Sequence, residues 1–304
     1  MDAKKDSTIG PTMKIKALAP WFGGKRNLAP LIVQELGEHR AYWEPFCGSM
    51  AVLLAKPAVT TEVVNDLNSH LINLARVIQH PTMGPELYRR LRRTLMHEAF
   101  FVESDRIMRD LEAGIHVELD SVAAAYHYMV CSWLGRNGTA GQPANKKGTY
   151  CVRYTQNGGH AGTRWMNVAK SIPAWRRRLR GVTILQRDGL ELLERIEDAA
   201  NAAIYIDPPY IEKSTPYLHD FKPEDHMRLA LLLQRFRKAR IVLSYYSHPM
   251  LKDLYPNWTF VRHPVSKAMS HVKRGESKGT AVEVLLINGP SYTKGAQPML
   301  KGMA

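Results

Sequence analysis

The sequence predicts an α/β protein: a doubly wound, mostly parallel sheet with a mainly helical region inserted into it. Short apolar runs alternate with stretches of helical periodicity over residues 28–79, and the alternation resumes over residues 182–244. Repeated strand–turn–helix units build parallel sheets, because each crossover helix covers a sheet face. Between the two blocks lies a stretch of different character, basic and helical at first and then rich in glycine. A chain of 304 residues has room for two lobes, or for one large domain with an insert.

Each element follows from its own pattern. Residues 1–13 are polar and aperiodic and read as a disordered tail. Leu28, Leu31, Ile32 and Leu36 share one helical face, and Gly37 stands where a helix stops. A strand is expected at 41–44, then a turn at 45–49 and an apolar helix start at 50–54. A second strand at 62–64 leads into Asn65-Asp66-Leu67-Asn68 and a helix carrying Leu71, Ile72, Ala75 and Ile78. The character changes near His80. Residues 81–112 look helical and crowd Arg89, Arg90, Arg92 and Arg93 together. Asp120 is placed to cap a helix with Val122, Tyr126, Met129, Val130 and Trp133.

From Gly135 to Gly162 there are seven glycines in a segment too polar for a core. Loops of that length tend to be functional or disordered. Alternation then returns with a strand at 182–185, Arg187-Asp188, and a helix with Leu190, Leu193 and Ile196. A strand at 202–206 ends at Asp207-Pro208-Pro209-Tyr210, followed by a helix with Leu229, Leu232, Leu233 and Phe236 and a strand at 241–244. Segments 258–261 and 282–287 read as an antiparallel pair at the sheet edge. The expected organisation is an α/β domain of 14–79 and 172–290, an insert of 80–171, and a flexible tail of 291–304.

Composition narrows the function. Lys and Arg number 42 against 28 Asp and Glu, a net charge of +14, which points to a polyanionic partner. Cys47, Cys131 and Cys151 lie far apart, with no C-x-x-C pair, so neither a zinc site nor a disulfide framework is expected and the chain reads as reduced and intracellular. Twelve histidines show no metal spacing, and no metal is expected. The longest stretch without a charged residue, 121–135, is too short to span a bilayer, so no membrane role is expected. The N-terminus has no apolar core and does not read as a signal peptide.

The chemistry concentrates at strand ends. Asp207-Pro208-Pro209-Tyr210 follows a buried apolar strand, which places it where open α/β sheets bind ligands. Asp supplies an acceptor, the prolines rigidify the turn and leave its carbonyls free to accept, and Tyr supplies a flat face. Such a set suits a planar group bearing an exocyclic amine. Glu44-Pro45-Phe46-Cys47-Gly48-Ser49-Met50 joins a strand to a helix with small residues that let backbone amides approach a ligand. Asp66 ends the next strand, where it is placed for ribose hydroxyls. Asp188 ends a later strand and faces either an adenine amine or the ordinary work of capping a helix. Arg176, Arg177, Arg178 and Arg180 are open to phosphate contacts or to a solvated helix face.

Taken together these residues resemble the Dam-like, class alpha DNA adenine-N6 methyltransferases, over about residues 19–289. Pro20-Trp21-Phe22-Gly23-Gly24-Lys25-Arg26 looks like the family's N-terminal motif, and the segment 44–50 like its methionine-side loop, with Met50 where a glycine is common. The resemblance implies a Rossmann-like methyltransferase fold and S-adenosylmethionine as cofactor. It assigns cofactor contacts to Trp21, Lys25, Glu44, Phe46, Gly48, Asp66, Asp188 and Asp207, and the catalytic motif to Asp207, Pro208, Pro209 and Tyr210. Residues 133–138 look like the start of the target-recognition region, which makes Arg136, Asn137, Lys146 and Lys147 candidates for DNA contact. Residues 283–288 resemble the closing strand.

The order of these segments is the class alpha order. The implied substrate is an adenine flipped out of double-stranded DNA in the cytoplasm, at the nucleoid. The implied setting is either a cognate restriction endonuclease or an orphan phage or prophage enzyme. The rivals are a cytosine-N4 methyltransferase, which usually carries Ser in place of Asp207, an RNA adenine methyltransferase, and a catalytically inactive DNA-binding relative. A covalent role for Cys47 is disfavoured, because Asp-Pro-Pro-Tyr explains an amine target better.

Overall fold

The computed structural model describes residues 13, 15–21, 23–115, 118–135, 148–152, 161–211, 221–266 and 280–293. By their contacts these divide into two compact units, one of residues 1–24 and 69–182 and the other of 25–68 and 183–304. The units break at 69 and 182, where the sequence suggested 80 and 171.

The second unit carries the sheet. Its strands are β1 (Ala41–Glu44), β2 (Thr61–Asn65), β3 (Thr183–Leu185), β4 (Ala202–Ile206), β5 (Arg240–Tyr246), β6 (Thr259–Ser266) and β7 (Thr280–Ile287). They lie in the order β3-β2-β1-β4-β5-β7-β6. β1 to β5 are parallel, and β7 runs antiparallel between β5 and β6. The order reverses between β1 and β4, and in such sheets ligands sit outside the carboxyl ends of the strands at that switch point. The expected fold class therefore stands, including the antiparallel pair at the edge.

The central strand β4 is buried throughout, as its uninterrupted Ala-Ala-Ile-Tyr-Ile run requires. Ala202, Ile204 and Ile206 join Leu190, Leu193, Leu229, Leu233, Leu243 and Leu286 in a core on one sheet face. That face is covered by α8 (Gly189–Arg195) and α9 (Pro223–Gln234). On the other face α1 (Ala29–Leu36) meets β4 and β5 and packs beside α2 (Ala51–Ala55). Helix α1 ends at Gly37, whose φ of +64° and close approach to the Tyr292 ring both require glycine.

Glu35 on α1 is fully buried and corrects one expectation. Its carboxylate accepts from Ser291 Oγ at 2.6 Å, Tyr292 N at 3.0 Å, Thr293 N at 3.2 Å, Thr293 Oγ1 and Arg240 Nη2 at 3.1 Å. A tail starting at 291 was expected to be flexible. Residues 291–293 are instead held by a buried carboxylate, and residues 294–304 lie outside those described, as do residues 1–12.

The first unit is helical: α3 (Ser69–Gln79), α4 (Met83–Arg93), α5 (Glu98–Glu112), α6 (Ser121–Leu134) and α7 (Ala161–Leu179). Its tryptophans are buried with each indole N–H donating to a backbone carbonyl: Trp133 to Leu18 at 3.1 Å, Trp165 to Leu91 at 3.2 Å, and Trp175 to Ile15 at 2.7 Å. Gln79 donates to the carbonyls of Leu179 and Val182, which ties α3 to the end of α7 and explains why α3 belongs to this unit. Asp120 caps α6 by accepting from Ala123 N at 2.7 Å. The expected helical stretch 81–112 is two helices. Thr94 breaks it, with Oγ1 within hydrogen-bond distance of Arg90 O and Tyr126 Oη, and His97 restarts it by capping Ala99 N. Among the described residues no helix is long and apolar enough to cross a membrane.

Candidate active site

Four strands deliver a carboxylate to the carboxyl edge of the sheet. Glu44 ends β1, Asp66 follows β2, Asp188 follows β3 and Asp207 follows β4, and these strands are neighbours in the order β3-β2-β1-β4. The row straddles the switch point.

Asp207 is the best-connected member. Lys25, one turn ahead of α1, places Nζ 2.9 Å from Asp207 Oδ1 and 3.1 Å from Glu283 Oε1. Tyr210 Oη lies 3.2 Å from Asp207 Oδ1 and 2.8 Å from Glu283 Oε1. The Lys25 ammonium also sits 5.1 Å over the Tyr210 ring. Burial pushes the Asp207 carboxyl up to about 6, the Lys25 ammonium pulls it back, and the Glu283 charge pushes it up again. A fifth of the Asp207 side chain still reaches solvent, whereas Lys25 is almost wholly enclosed. Pro208 is buried and Pro209 half-buried in the turn.

The structure orients Tyr210 differently from the expected open, flat face. Its ring is 5% exposed, lies edge-on to Tyr246 at 4.7 Å and tilted to Tyr245 at 5.5 Å, and its hydroxyl points to the carboxylates. Burial and the two neighbouring carboxylates hold that hydroxyl well above the usual tyrosine range, so it stays a donor.

The loop after β1 is shaped from both sides. Gly48 has φ of +43° and donates its N–H to Asp66 Oδ2 at 2.9 Å, while Asp66 Oδ1 accepts from Asn68 N at 2.9 Å. Asp66 thus braces the loops after β1 and β2. Met50 adopts φ of +58°, the only non-glycine at positive φ among the described residues. Its N–H bonds Cys47 O at 2.8 Å. Where the resembled family commonly has glycine, this chain bends methionine into the left-handed region and buries its side chain.

Glu44 is 2% exposed and accepts from Tyr42 Oη at 2.8 Å. Burial pushes its carboxyl up to about 8, against the Tyr42 hydrogen bond. Phe46 lies against Gly189, where an added Cβ would fall 2.5 Å from the ring. Asp188, next to Gly189, caps α8 by accepting from Leu190 N and Glu191 N, both at Oδ1. The structure therefore brings together Lys25, Asp207 and Tyr210, then Gly48 with Asp66, then Phe46 with Gly189, the residue after Asp188. Trp21 belongs to the other compact unit and accepts from Gly24 N. Arg136, Asn137, Lys146 and Lys147 lie outside the described residues.

Two residues escaped the sequence reading. Asn65 is fully buried and staples two loops: Nδ2 donates to Pro45 O and Arg187 O, both at 2.9 Å, and Oδ1 accepts from Arg187 N at 3.0 Å. Glu283 on β7 shares Lys25 and Tyr210 with Asp207. In the sequence it is legible as the first residue of the segment 283–288 that resembles the closing strand, with no site role assigned to it. Cys47 is buried, and burial with the nearby Asp66 and Glu44 charges holds its thiol well above the usual range, which leaves it a poor nucleophile.

This donor and acceptor set suits S-adenosylmethionine. The row of carboxylates offers acceptors for an ammonium, a pair of ribose hydroxyls and an amine, and the Gly48 turn lets backbone approach a ligand closely. Among the described residues no group of three His, Cys, Asp or Glu side chains is gathered as a metal site.

A mostly parallel sheet with acceptors along its switch-point edge defines a Rossmann-like ligand site, and comparison with known proteins gives its class. The family model of the D12 class N6 adenine-specific DNA methyltransferases matches residues 21–271, and the chain belongs to that family. The chain is 26% identical over 288 residues to the type II methyltransferase M1.LlaDCHI of Lactococcus lactis subsp. cremoris, which covers 91% of this chain and 96% of that protein. It is 25% identical over 289 residues to the retron Ec67 DNA adenine methylase of Escherichia coli, at 93% and 95% coverage. It is 24% identical over 295 residues to a DNA N-6-adenine-methyltransferase of Escherichia phage P1, at 92% of this chain and 36% of that protein. The chain is thus an adenine-specific, S-adenosylmethionine-dependent DNA methyltransferase.

Proposed function

We propose that Asp207 and the Pro208 carbonyl accept the two N6 hydrogens of an adenine flipped out of a specific site in double-stranded DNA. The observation that carries this is the Asp207 carboxylate at the switch-point strand end, gripped by Lys25 yet partly open to solvent. With a midpoint near 6 it is mostly ionised at pH 7 and accepts a hydrogen bond from the amine. That bond favours a more tetrahedral, nucleophilic nitrogen, and the proton released on N-methylation leaves towards Asp207. S-adenosylmethionine supplies the electrophilic methyl group when bound. Asp66 would hold its ribose, Glu44, Phe46 and Gly48 its methionine end, Asp188 its adenine, with Lys25 and Trp21 as further contacts.

Holding both reactants in line contributes roughly 7–11 kcal/mol to such reactions. A base stacked in a duplex cannot reach Asp207, and flipping costs a few kcal/mol. Tyr210 forms the aromatic wall of the base site, with its hydroxyl held towards Glu283 and Asp207. Arg136, Asn137, Lys146 and Lys147 are proposed as DNA contacts. No metal enters this reading. The type II name of one relative and the phage origin of another support a setting either beside a restriction endonuclease or as an orphan enzyme, in the cytoplasm.

Methylation-aware sequencing of DNA from cells expressing the chain tests the reading. N6-methyladenine at one recurrent sequence is expected, lost in Asp207→Ala with DNA binding retained. Absence of the mark, or its persistence in Asp207→Ala, refutes the assignment.

A further inference from the structure

We infer that Glu283 is a positioning residue of this site, holding Lys25 and Tyr210 on the β7 side so that Asp207 keeps an acceptor open to the target amine. The inference deepens the reading above and rests on it. Two donors, Lys25 Nζ and Tyr210 Oη, are shared between two carboxylates. A tyrosine hydroxyl has one proton and can give it to only one of them. Glu283 Oε1 lies 2.8 Å away and Asp207 Oδ1 3.2 Å, so the proton goes to Glu283. The Lys25 ammonium has three protons and donates to both, at 3.1 Å to Glu283 and 2.9 Å to Asp207.

Without Glu283 both donors would turn to Asp207 alone and draw on the acceptors that the amine hydrogen needs. The strand that carries Glu283 makes the arrangement possible. β7 is antiparallel, so its beginning reaches the edge where the parallel strands end, and Glu283 pairs across from Tyr246 at the end of β5. Glu283 is 6% exposed, so its carboxylate depends on donors such as these.

Among the described residues, the following groups face the two carboxylates. Asp207 is faced by Lys25 ahead of α1, Glu44 on β1, Tyr205 on β4, Tyr245 and Tyr246 on β5, Glu283 on β7 and Tyr210 in its own loop. Glu283 is faced by Lys25, Asp207, Tyr210, Tyr205 and Tyr246, and by His263, its cross-strand neighbour on β6. Of the groups facing Asp207, Glu283 is a carboxylate that shares its ammonium.

Glu283→Gln keeps an oxygen for the Tyr210 hydroxyl and removes the charge. Lys25 then serves Asp207 alone. The acid limb of kcat/KM for methylation should move to lower pH by about one unit, the direction expected when a like charge leaves. The turnover number should fall about 10- to 100-fold, the range seen when a group behind a metal ligand is removed. A carbon-13 titration of the Asp207 carboxyl in the full chain should show its midpoint lowered by the same change, and Glu283→Asp should restore the wild-type midpoint. Active wild type with an acid limb and Asp207 midpoint unmoved in Glu283→Gln overturns the inference, as does a uniform loss at every pH. A wild-type chain that does not methylate adenine overturns the reading of the site and this inference with it.

Discussion

Binding of S-adenosylmethionine should release a proton from Glu44. Glu44 ends β1 almost fully enclosed, and burial pushes its carboxyl from an ordinary 4.5 up to about 8, against the Tyr42 hydrogen bond and reinforced by the Asp207 charge. In the free protein at pH 7 about nine in ten of these carboxyls are therefore protonated. A cation brought within hydrogen-bond reach lowers a carboxylate midpoint by about 1–3 units. If the ammonium of the cofactor's methionine end sits against Glu44, the complex carries more of the carboxylate, and about 0.4–0.9 proton leaves per cofactor bound. Affinity should rise with pH between the bound and free midpoints, by up to about tenfold per unit, and level off above 8.

The same shift acts on folding with the opposite trend. A folded midpoint above the unfolded one favours the folded state at low pH, so this contribution is lost as pH climbs from about 4.5 to 8, at roughly 5 kcal/mol in total. Glu44→Gln should accordingly be more stable than wild type above pH 8 and gain nothing near pH 4. Calorimetric titration at pH 7 in phosphate and in Tris, whose ionisation enthalpies differ, measures the released proton. A wild-type enthalpy that is the same in both buffers, or a proton release that persists in Glu44→Gln, would refute the placement of the cation.

Other expectations follow from single residues. Met50→Gly relieves a left-handed backbone worth roughly 1–2 kcal/mol but deletes a fully buried side chain worth roughly 2–5 kcal/mol, so denaturant unfolding should show a net loss. Asn65→Ala strands the Pro45 and Arg187 backbone groups and should cost about 2–4 kcal/mol, with weakened cofactor binding because the loops after β1 and β3 lose their shared staple. Asp66→Ala should weaken cofactor binding in a folded chain, read by calorimetry, since Asp66 braces Gly48 and Asn68. DNA binding should fall with salt at a log–log slope of about −0.9 per phosphate neutralised, and Arg136→Ala or Asn137→Ala should change which adenines are methylated.

What the sequence revealed and what it hid divide by how far apart the interacting residues are. β4 was legible because five apolar residues in a row, followed by Asp-Pro-Pro-Tyr, need no partner to be interpreted. Helix α6 was legible because Asp120 caps it and an apolar run fills it. The break at 94–97 was not, since Thr94 and His97 acquire meaning from Tyr126 in another helix and from a local cap. Helix α7 was legible only at its basic end, because Pro173 and a glycine-rich approach argue against a helix whose existence depends on burying Trp165 and Trp175. The same holds within the site. Lys25 and Asp207 carried recognisable motifs, but Asn65 and Arg187 lie 122 residues apart and Tyr210 and Glu283 lie 73 apart.

Glu283 was nonetheless within reach of inference. In a parallel strand, an acid near the start lies at the amino edge, far from any ligand. In an antiparallel strand the same position lies at the carboxyl edge. The antiparallel pairing of 258–261 with 282–287 was expected from pattern alone, and combining it with the switch-point rule points an acid at position 283 towards Asp207. The step that was missing is one of strand direction, which converts the first residue of the closing-strand segment into a member of the site.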